Sequence, residues 1–481
     1  MASSHHASGT GRYRPVLRFP ALPWGYRSEP YRGWRAGEGM SQKKQVHLNL
    51  FLYGTGHHQA AWRAEDSAAE ELPDTQYYIK LAQLAEKGLL DAVFFADGQA
   101  VSASAAQAGP TWFFEPVTLL SAISQCTTNI GLVCTISASF YSPFHAARML
   151  GSLQHLSNGR AGINVVTSMW DTEAQNHSLT ELPAHAQRYG RAAEFIDVLR
   201  KLWGSYPHQA VQIDRGGNFT DTRLLQEINH EGEHFSVRGP LNMPNSVHGE
   251  PVMFQAGSSP AGRELAAAHA EAIYSVAADH QMASEFAQDL SERTRASRGS
   301  DNRALIMPGL VTYVGSTAEE AKAKQRALNE LLPTGDALRQ LGVFLQQDTS
   351  RWPLDGPVPD LPPLEEFTGP AGRYTTILRL IELHQPTVRE LLGLLAAGGG
   401  HCTMVGTPEM IADQIELWID SGAADGFNLM PPSLPGSLED FIELVIPELR
   451  RRGRFRTRYE SATLRGNLGL AVPEAVALAR G

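Results

Sequence analysis

Cysteine is scarce: the 481 residues hold three, Cys126, Cys134 and Cys402, and none forms a CxxC pair. A sparse, odd count fits reduced thiols in a cytoplasmic protein. No apolar run reaches the ~18 residues that a membrane span requires, so no membrane role is expected. The N-terminus has no apolar h-region, so a secretory signal is not expected either. Positive charge is also short. The net charge is −10, yet residues 1–40 carry six arginines against two glutamates. The rest then holds 35 basic against 49 acidic groups, or −14. So acidic a body, with no basic stripe, makes nucleic acid an unexpected partner. No GxGxxG follows the first strand, which argues against a Rossmann domain. No GxSxG surrounds Ser258 or Ser259, which argues against a serine hydrolase. His57-His58 lacks a carboxylate or third histidine at ligand spacing, so no metal is expected.

What is present is organised around residues 251–270, PVMFQAGSSPAGRELAAAHA. A short apolar run, 252–256, leads through Gly257-Ser258-Ser259-Pro260-Ala261-Gly262 into an Ala-rich helix start. Free N–H groups, the helix dipole and two hydroxyls converge there, which makes an anion site, most often one for phosphate. The plainer reading is an ordinary cap, Ser259 with Pro260 at the first helical position.

Eight apolar strand patterns occur in order: 46–53, 92–96, 130–137, 161–166, 252–256, 272–276, 305–314 and 426–430. Helical patterns follow them at 74–88, 115–126, 143–156, 185–203, 260–270, 282–297, 317–331 and 437–451, with a further one at 407–421. Continuous apolar strands suit a parallel sheet covered by helices. Eight regular units fit an α/β fold, a (β/α)8 TIM-like barrel, better than a doubly wound sheet. The expected barrel spans 41–455, with insertions at about 204–249 and 332–405. The first insertion is expected to hold a hairpin. The second and largest lies between the seventh helix and the eighth strand. It has a stretch of six prolines at 351–370 and a helical pattern at 374–397. Residues 1–40 are an extension, a mis-assigned start before Met40, or an arm, and 456–481 form a tail.

In a barrel the site lies where strands end. Those ends carry His57, His58 and nearby Trp62, then Asp97, then Thr135 and Ser137, then the 166–168 turn leading to His185 and Tyr189, then Ser258 and Ser259. Each also has a plainer role. Asp97-Gly98 is a common turn pair, Thr135 can satisfy itself on backbone, and His185 and Tyr189 share a helix face at i,i+4 spacing.

Seven stretches carry a family resemblance: LNLFLYGTGHHQAAWR (48–63), LAEKGLLDAVFFAD (84–97), NIGLVCTISASFYSPFHAAR (129–148), LSNGRAGINVVTS (156–168), HAQRYGRAAEF (185–195), QAGSSPAGRELAAAHAEAIY (255–274) and GTPEMIADQIELWIDSGAADGFNLMPP (406–432). In that order the chain resembles the nitrilotriacetate and dibenzothiophene-sulfone monooxygenase group of the bacterial luciferase-like flavin-dependent monooxygenases. The resemblance covers most of 45–450 and neither end. It implies a TIM-like barrel that uses reduced FMN from a separate NAD(P)H-dependent flavin reductase, with O2 as co-substrate. It implies FMN contacts at Asp97, Thr135, His185, Tyr189 and Ser259, with Ser258 beside them. Oxygenation of a small C–N, C–S or alkyl substrate would run through a flavin C4a-(hydro)peroxide in a pocket closed to water. His57 and His58 are then candidates on the substrate or peroxide side, and Trp62 on the substrate side. A homodimer or homotetramer is expected. The alternatives are a flavin carrier or sensor without turnover, and a deazaflavin barrel. The large insertion has five arginines, at 339, 351, 373, 379 and 389, and no lysine. That favours a moderately apolar substrate over a polyanion.

Overall fold

The computed structural model describes residues 43–111, 114–299, 302–368 and 371–473. The extension expected at 1–40 lies outside these residues. Eight parallel strands close a barrel: β1 (His47–Leu52), β2 (Ala92–Phe95), β3 (Gly131–Ser137), β4 (Ala161–Val166), β5 (Val252–Ala256), β6 (Ala272–Ser275), β7 (Leu305–Val314) and β8 (Gly426–Leu429). They pair in chain order, and β8 closes onto β1 through His47↔Gly426 and Asn49↔Asn428. The expected (β/α)8 barrel is therefore observed, strand for strand.

Side chains alternate across each strand, as a pleated backbone requires. Leu48, Leu50, Val93, Phe95, Leu132, Cys134, Ile163 and Val165 face the helices in the main core. The opposite register points inward. Ala92, Phe94, Val133, Phe254 and Met307 pack together inside the barrel with Leu464 and Leu468. Those two leucines lie in and beside the short helix Leu464–Asn467. Residues 456–473 therefore seal the end from which the strands start. A Cβ on Gly131 would come within 2.5 Å of Leu464, so the strand is glycine where the plug meets it.

Helix starts follow their caps. Asp74 accepts from the Gln76 N–H, Asp279 from Met282 and Thr317 from Glu320. Pro116, Pro143, Pro260 and Pro408 occupy first-turn positions, where a missing N–H costs nothing. No described helix is long and apolar enough to cross a membrane.

The 204–249 segment holds the expected hairpin, as the small pair His230–Glu231 and Ser236–Val237. The longer insertion has three helices, Thr334–Leu345, Ala371–His384 and Val388–Ala396. They share an apolar core of their own, with Leu338, Leu341, Tyr374, Ile377, Leu391 and Leu395 buried in it. The single helical pattern expected at 374–397 is thus two helices, broken at Gln385-Pro386. The proline-rich stretch belts these helices. Val388 N–H donates to Gly356 O, Tyr374 OH donates to Pro362 O, and Phe367 stacks on Tyr374 at 3.8 Å.

A ninth strand, Cys402–Gly406, is not among the eight expected. It pairs parallel with the second half of β7, Cys402↔Leu310 through Gly406↔Val314. β7 is ten residues long, and its end runs past the barrel to meet this strand. That excursion brings His401 to the barrel mouth.

Candidate functional site

The mouth rests on an aromatic layer. Phe51, Phe94 and Tyr274 are inward residues of β1, β2 and β6, with ring centroids 5.4 to 6.1 Å apart. Beside them Asn164 Nδ2 donates to Thr135 Oγ1 at 3.0 Å. The other amide atom, Asn164 Oδ1, is buried without a protein partner. A buried acceptor left open costs about 1–3 kcal/mol, which a ligand donor would recover.

On one side of the mouth stands the strand–turn–helix of β5. Ser259 Oγ caps the helix Pro260–His269 by accepting from Gly262 N–H at 3.1 Å. Ser259 Oγ also lies 3.5 Å from Tyr189 OH, and the Tyr189 ring is 4.7 Å from that of His185. Both come from the helix His185–Gly204. A Cβ on Gly262 would sit 3.2 Å from the Tyr189 hydroxyl, so glycine permits the approach. Ser258 turns toward Gly372, at the start of an insertion helix. The structure therefore brings His185, Tyr189, Ser258 and Ser259 to one helix N-terminus.

Asp97 follows the end of β2 and accepts from Gln99 Nε2 at 2.8 Å. Gln99 is tied to the loop after β4, where Asn176 Nδ2 donates to its carbonyl. Burial raises the Asp97 pKa, and the Glu115 and Glu173 carboxylates add to the rise against its hydrogen bonds. Thr135 and Asp97 thus line the side of the mouth formed by β2, β3 and β4.

The two histidines after β1 diverge. His57 packs between Phe51, at 4.7 Å, and Tyr53, at 5.5 Å. Its Nε2–H donates to the Phe51 carbonyl at 2.9 Å. In the neutral ring Nδ1 is then an acceptor. His58 Nδ1 accepts from Ala60 N–H at 3.1 Å, and its Nε2–H donates to Asn329 Oδ1 at 3.0 Å. Both His58 nitrogens are used within the protein. Trp62 turns to the 103–109 segment, where Nε1 donates to Ala108 O at 3.1 Å.

Burial lowers both histidine pKa values to about 4, against weaker upward pulls from Phe51 O and Asn329. Neither ring therefore has the ordinary value near 6.5 that makes histidine an acid–base group at neutral pH. Both should stay neutral from pH 8 down to 5 in the folded protein. The ring 13Cε1 shifts, assigned with His57→Gln and His58→Gln, would report this, and a midpoint near 6.5 for either ring would refute it. Unfolded histidine binds protons in this window and the folded rings do not. Their contribution to stability is thus complete above pH 6.5 and is lost between 6.5 and about 4.

Strand-end reasoning missed three mouth residues: Tyr274, His401 and Arg373. Tyr274 was legible, since it is the inward residue near the end of β6. His401 and Arg373 were not, because nothing local links them to the barrel. A separate cleft of about 770 Å3 lies among the described residues at the opposite end. It is remote from the strand ends, and three ion pairs lie in or beside it, Arg200–Glu250, Arg465–Glu271 and Arg303–Asp425.

The luciferase-like monooxygenase profile matches residues 51–425. N-acetyl-S-(2-succino)cysteine monooxygenase of Bacillus subtilis is 42% identical over 435 residues, 90% of this chain and 98% of that protein. Nitrilotriacetate monooxygenase component A of Aminobacter aminovorans is 40% identical over 449 residues, 90% of this chain and 98% of its own length. The crystal structure of DmoA from Hyphomicrobium sulfonivorans superposes with a TM-score of 0.78 at 32% identity, covering 88% of this chain and 92% of that one. The chain belongs to the luciferase-like monooxygenase family. It is an enzyme of the monooxygenase class, and the resemblance to the nitrilotriacetate and dibenzothiophene-sulfone group holds over most of its length.

Proposed function

We propose that this chain is the oxygenase of a two-component system, taking reduced FMN from a separate NAD(P)H-dependent flavin reductase. Two relatives named as one part of a larger system support a partner: the nitrilotriacetate monooxygenase component and, in Streptomyces pristinaespiralis, one of the subunits of pristinamycin IIA synthase. The observation that carries the reading is the convergence of Ser258, Ser259, Tyr189 and His185 on one helix N-terminus, above a barrel with an open acceptor at Asn164 Oδ1. Backbone N–H groups, hydroxyls and the helix dipole suit the dianionic phosphate of FMN. The orphaned acceptor and the aromatic layer suit a flat polar ring. The residues present therefore fit the cofactor.

Bound reduced FMN would supply the electrons that activate O2 for transfer of one oxygen atom, with the other leaving as water. The chain's own groups bind, orient and exclude water. Ser258, Ser259, Tyr189 and His185 would hold the phosphate and ribityl end. Asp97 and Thr135 would face the ring. His57 offers the substrate side an acceptor at Nδ1, and His58 fixes that loop through Asn329. Trp62, held by Ala108 O, would meet substrate only from the outer edge of that side. The insertion is stitched to the β1 loop by Gln59 N–H to Ala396 O and Gly398 N–H to His57 O, which keeps water from the mouth. Action in the cytoplasm as a homodimer or homotetramer completes the proposal.

The test is substrate-coupled oxygen uptake with reductase, FMN and NADH, corrected for released H2O2. The panel follows the relatives' names: N-acetyl-S-(2-succino)cysteine, nitrilotriacetate, dibenzothiophene sulfone, dimethyl sulfide and a long-chain alkane. Uptake above the peroxide background is expected with at least one member. Tight FMN binding with peroxide as the only product would favour the carrier reading instead.

A further inference from the structure

The insertion's five arginines are not equivalent. Arg339 pairs with Asp336, Arg379 with Asp279 and Glu382, and Arg389 with Asp355. Arg351 is exposed beside Asp348. Arg373 differs from all of these. It donates Nη1–H to the Gly399 carbonyl and lies over the Phe344 ring, 5.0 Å from its centroid. No described carboxylate pairs with it. The protein around it lowers its pKa by desolvation, and the opposing pull is that of the Tyr274 hydroxyl. Its side chain nevertheless remains accessible. An accessible guanidinium without a counter-charge among the described residues is suited to an anion.

The backbone is shaped around it. Gly398, Gly399 and Gly400 have φ of 77°, 64° and 98°, values costly for residues with side chains. A Cβ on Gly399 would overlap the Arg373 guanidinium, and one on Gly400 would overlap Thr376. The turn then delivers His401, whose Nε2 is 2.9 Å from Tyr274 OH. His401 is 8% exposed, and its Nδ1 is buried without a partner. Leaving an unpaired acceptor there costs less than leaving an unpaired N–H, so the proton belongs on Nε2 and points at the Tyr274 oxygen. The Tyr274 hydroxyl proton is then free to donate elsewhere. Its present acceptor is the Met430 thioether, at 3.3 Å, a weak one. The titratable groups that feel the guanidinium's charge are therefore Tyr274 and His401, neither of them an anion, with His57 acting in turn on His401.

We infer that Arg373, with the Tyr274 hydroxyl reached through His401 on the same glycine turn, binds a carboxylate of the substrate, so that this enzyme acts on small carboxylic acids. The inference rests on the barrel mouth being the substrate side. Arg373 follows Gly372, which borders Ser258, so a phosphate is the competing anion. The guanidinium itself is carried away from Ser258, onto Phe344 and Gly399, on the His401 side of the mouth. A planar guanidinium whose Nε and Nη2 make no hydrogen bond among the described residues matches a carboxylate through two parallel hydrogen bonds. One such fork selects one carboxylate.

The experiment is ligand-observed NMR titration of succinate and dimethyl succinate against the full chain, wild type, Arg373→Gln and Arg373→Lys. FMN affinity is measured on the same samples by fluorescence quenching, and folding by thermal melting. Succinate should bind the wild type and the diester should not. Arg373→Gln should weaken succinate at least tenfold, Arg373→Lys less, with FMN affinity and melting changed little. Equal binding of acid and diester, no succinate binding, or an unchanged Arg373→Gln would overturn the inference. So would a loss confined to FMN, which would assign the guanidinium to the phosphate. Succinate binding without FMN binding would leave this assignment standing and remove the flavin proposal.

Discussion

Replacing Ser258 and Ser259 together by alanine is expected to weaken FMN binding by about 100-fold. Ser259 Oγ caps the helix Pro260–His269 and meets Tyr189, while Ser258 faces the insertion. A hydrogen bond to a charged group contributes about 1.5–3 kcal/mol, and two such bonds would give roughly 10²–10⁴-fold. Backbone N–H groups and the helix dipole survive the change, which holds the expected loss to the lower end. The lost cap costs about 1 kcal/mol of folding stability besides, so melting must be followed in parallel. Fluorescence quenching of FMN gives the affinity directly. A double variant that binds within threefold of wild type would separate this turn from the phosphate.

The largest effect on stability is expected at Asp91, at the sealed end of the barrel. Its carboxylate has no solvent exposure. One oxygen accepts from Leu48 N–H at 2.8 Å, and the other pairs with Arg456 and lies 3.3 Å from His47 Nδ1. Burial pushes its pKa up, but the Arg456 and His47 charges and the hydrogen bonds push it further down, so the net shift is downward. Asp91→Ala strands a half-buried guanidinium and a buried backbone donor, which costs about 3–5 kcal/mol. The sign of the pH effect follows. The folded pKa lies below the unfolded value of about 3.9, so the stabilisation is complete above that value and is lost as pH falls through the lower folded one. Urea unfolding at pH 7 should show the loss, and wild type should approach Asp91→Asn only below about pH 4. Parallel stabilities of the two proteins from pH 6 to 3 would show that the ion pair contributes nothing.

Much of the architecture is written locally. The eight apolar runs mark eight strands because both faces of a barrel strand are buried, so no polar residue is demanded at alternate positions. Asp74, Asp279, Thr317 and Thr407 mark helix starts because a side-chain oxygen can reach an N–H two or three residues on. The run from Gly257 to Gly262 announces an anion site for the same reason, since its donors come from adjacent residues. Cys402–Gly406 escaped because a five-residue strand next to a glycine turn has no periodicity long enough to separate from its neighbours.

The sequence alone therefore determined the barrel, the place of its mouth and the helix N-terminus at Ser259, all consequences of contacts a few residues apart. Only the tertiary structure decided what the mouth's polar groups can do. It set His57 as a neutral ring with Nδ1 open and spent both nitrogens of His58 on Ala60 and Asn329. It also carried Arg373 to Gly399 and His401 to Tyr274. Protonation state and hydrogen-bond capacity depend on burial and on partners up to 271 residues away in the chain, as for His58 and Asn329. No local pattern encodes those distances.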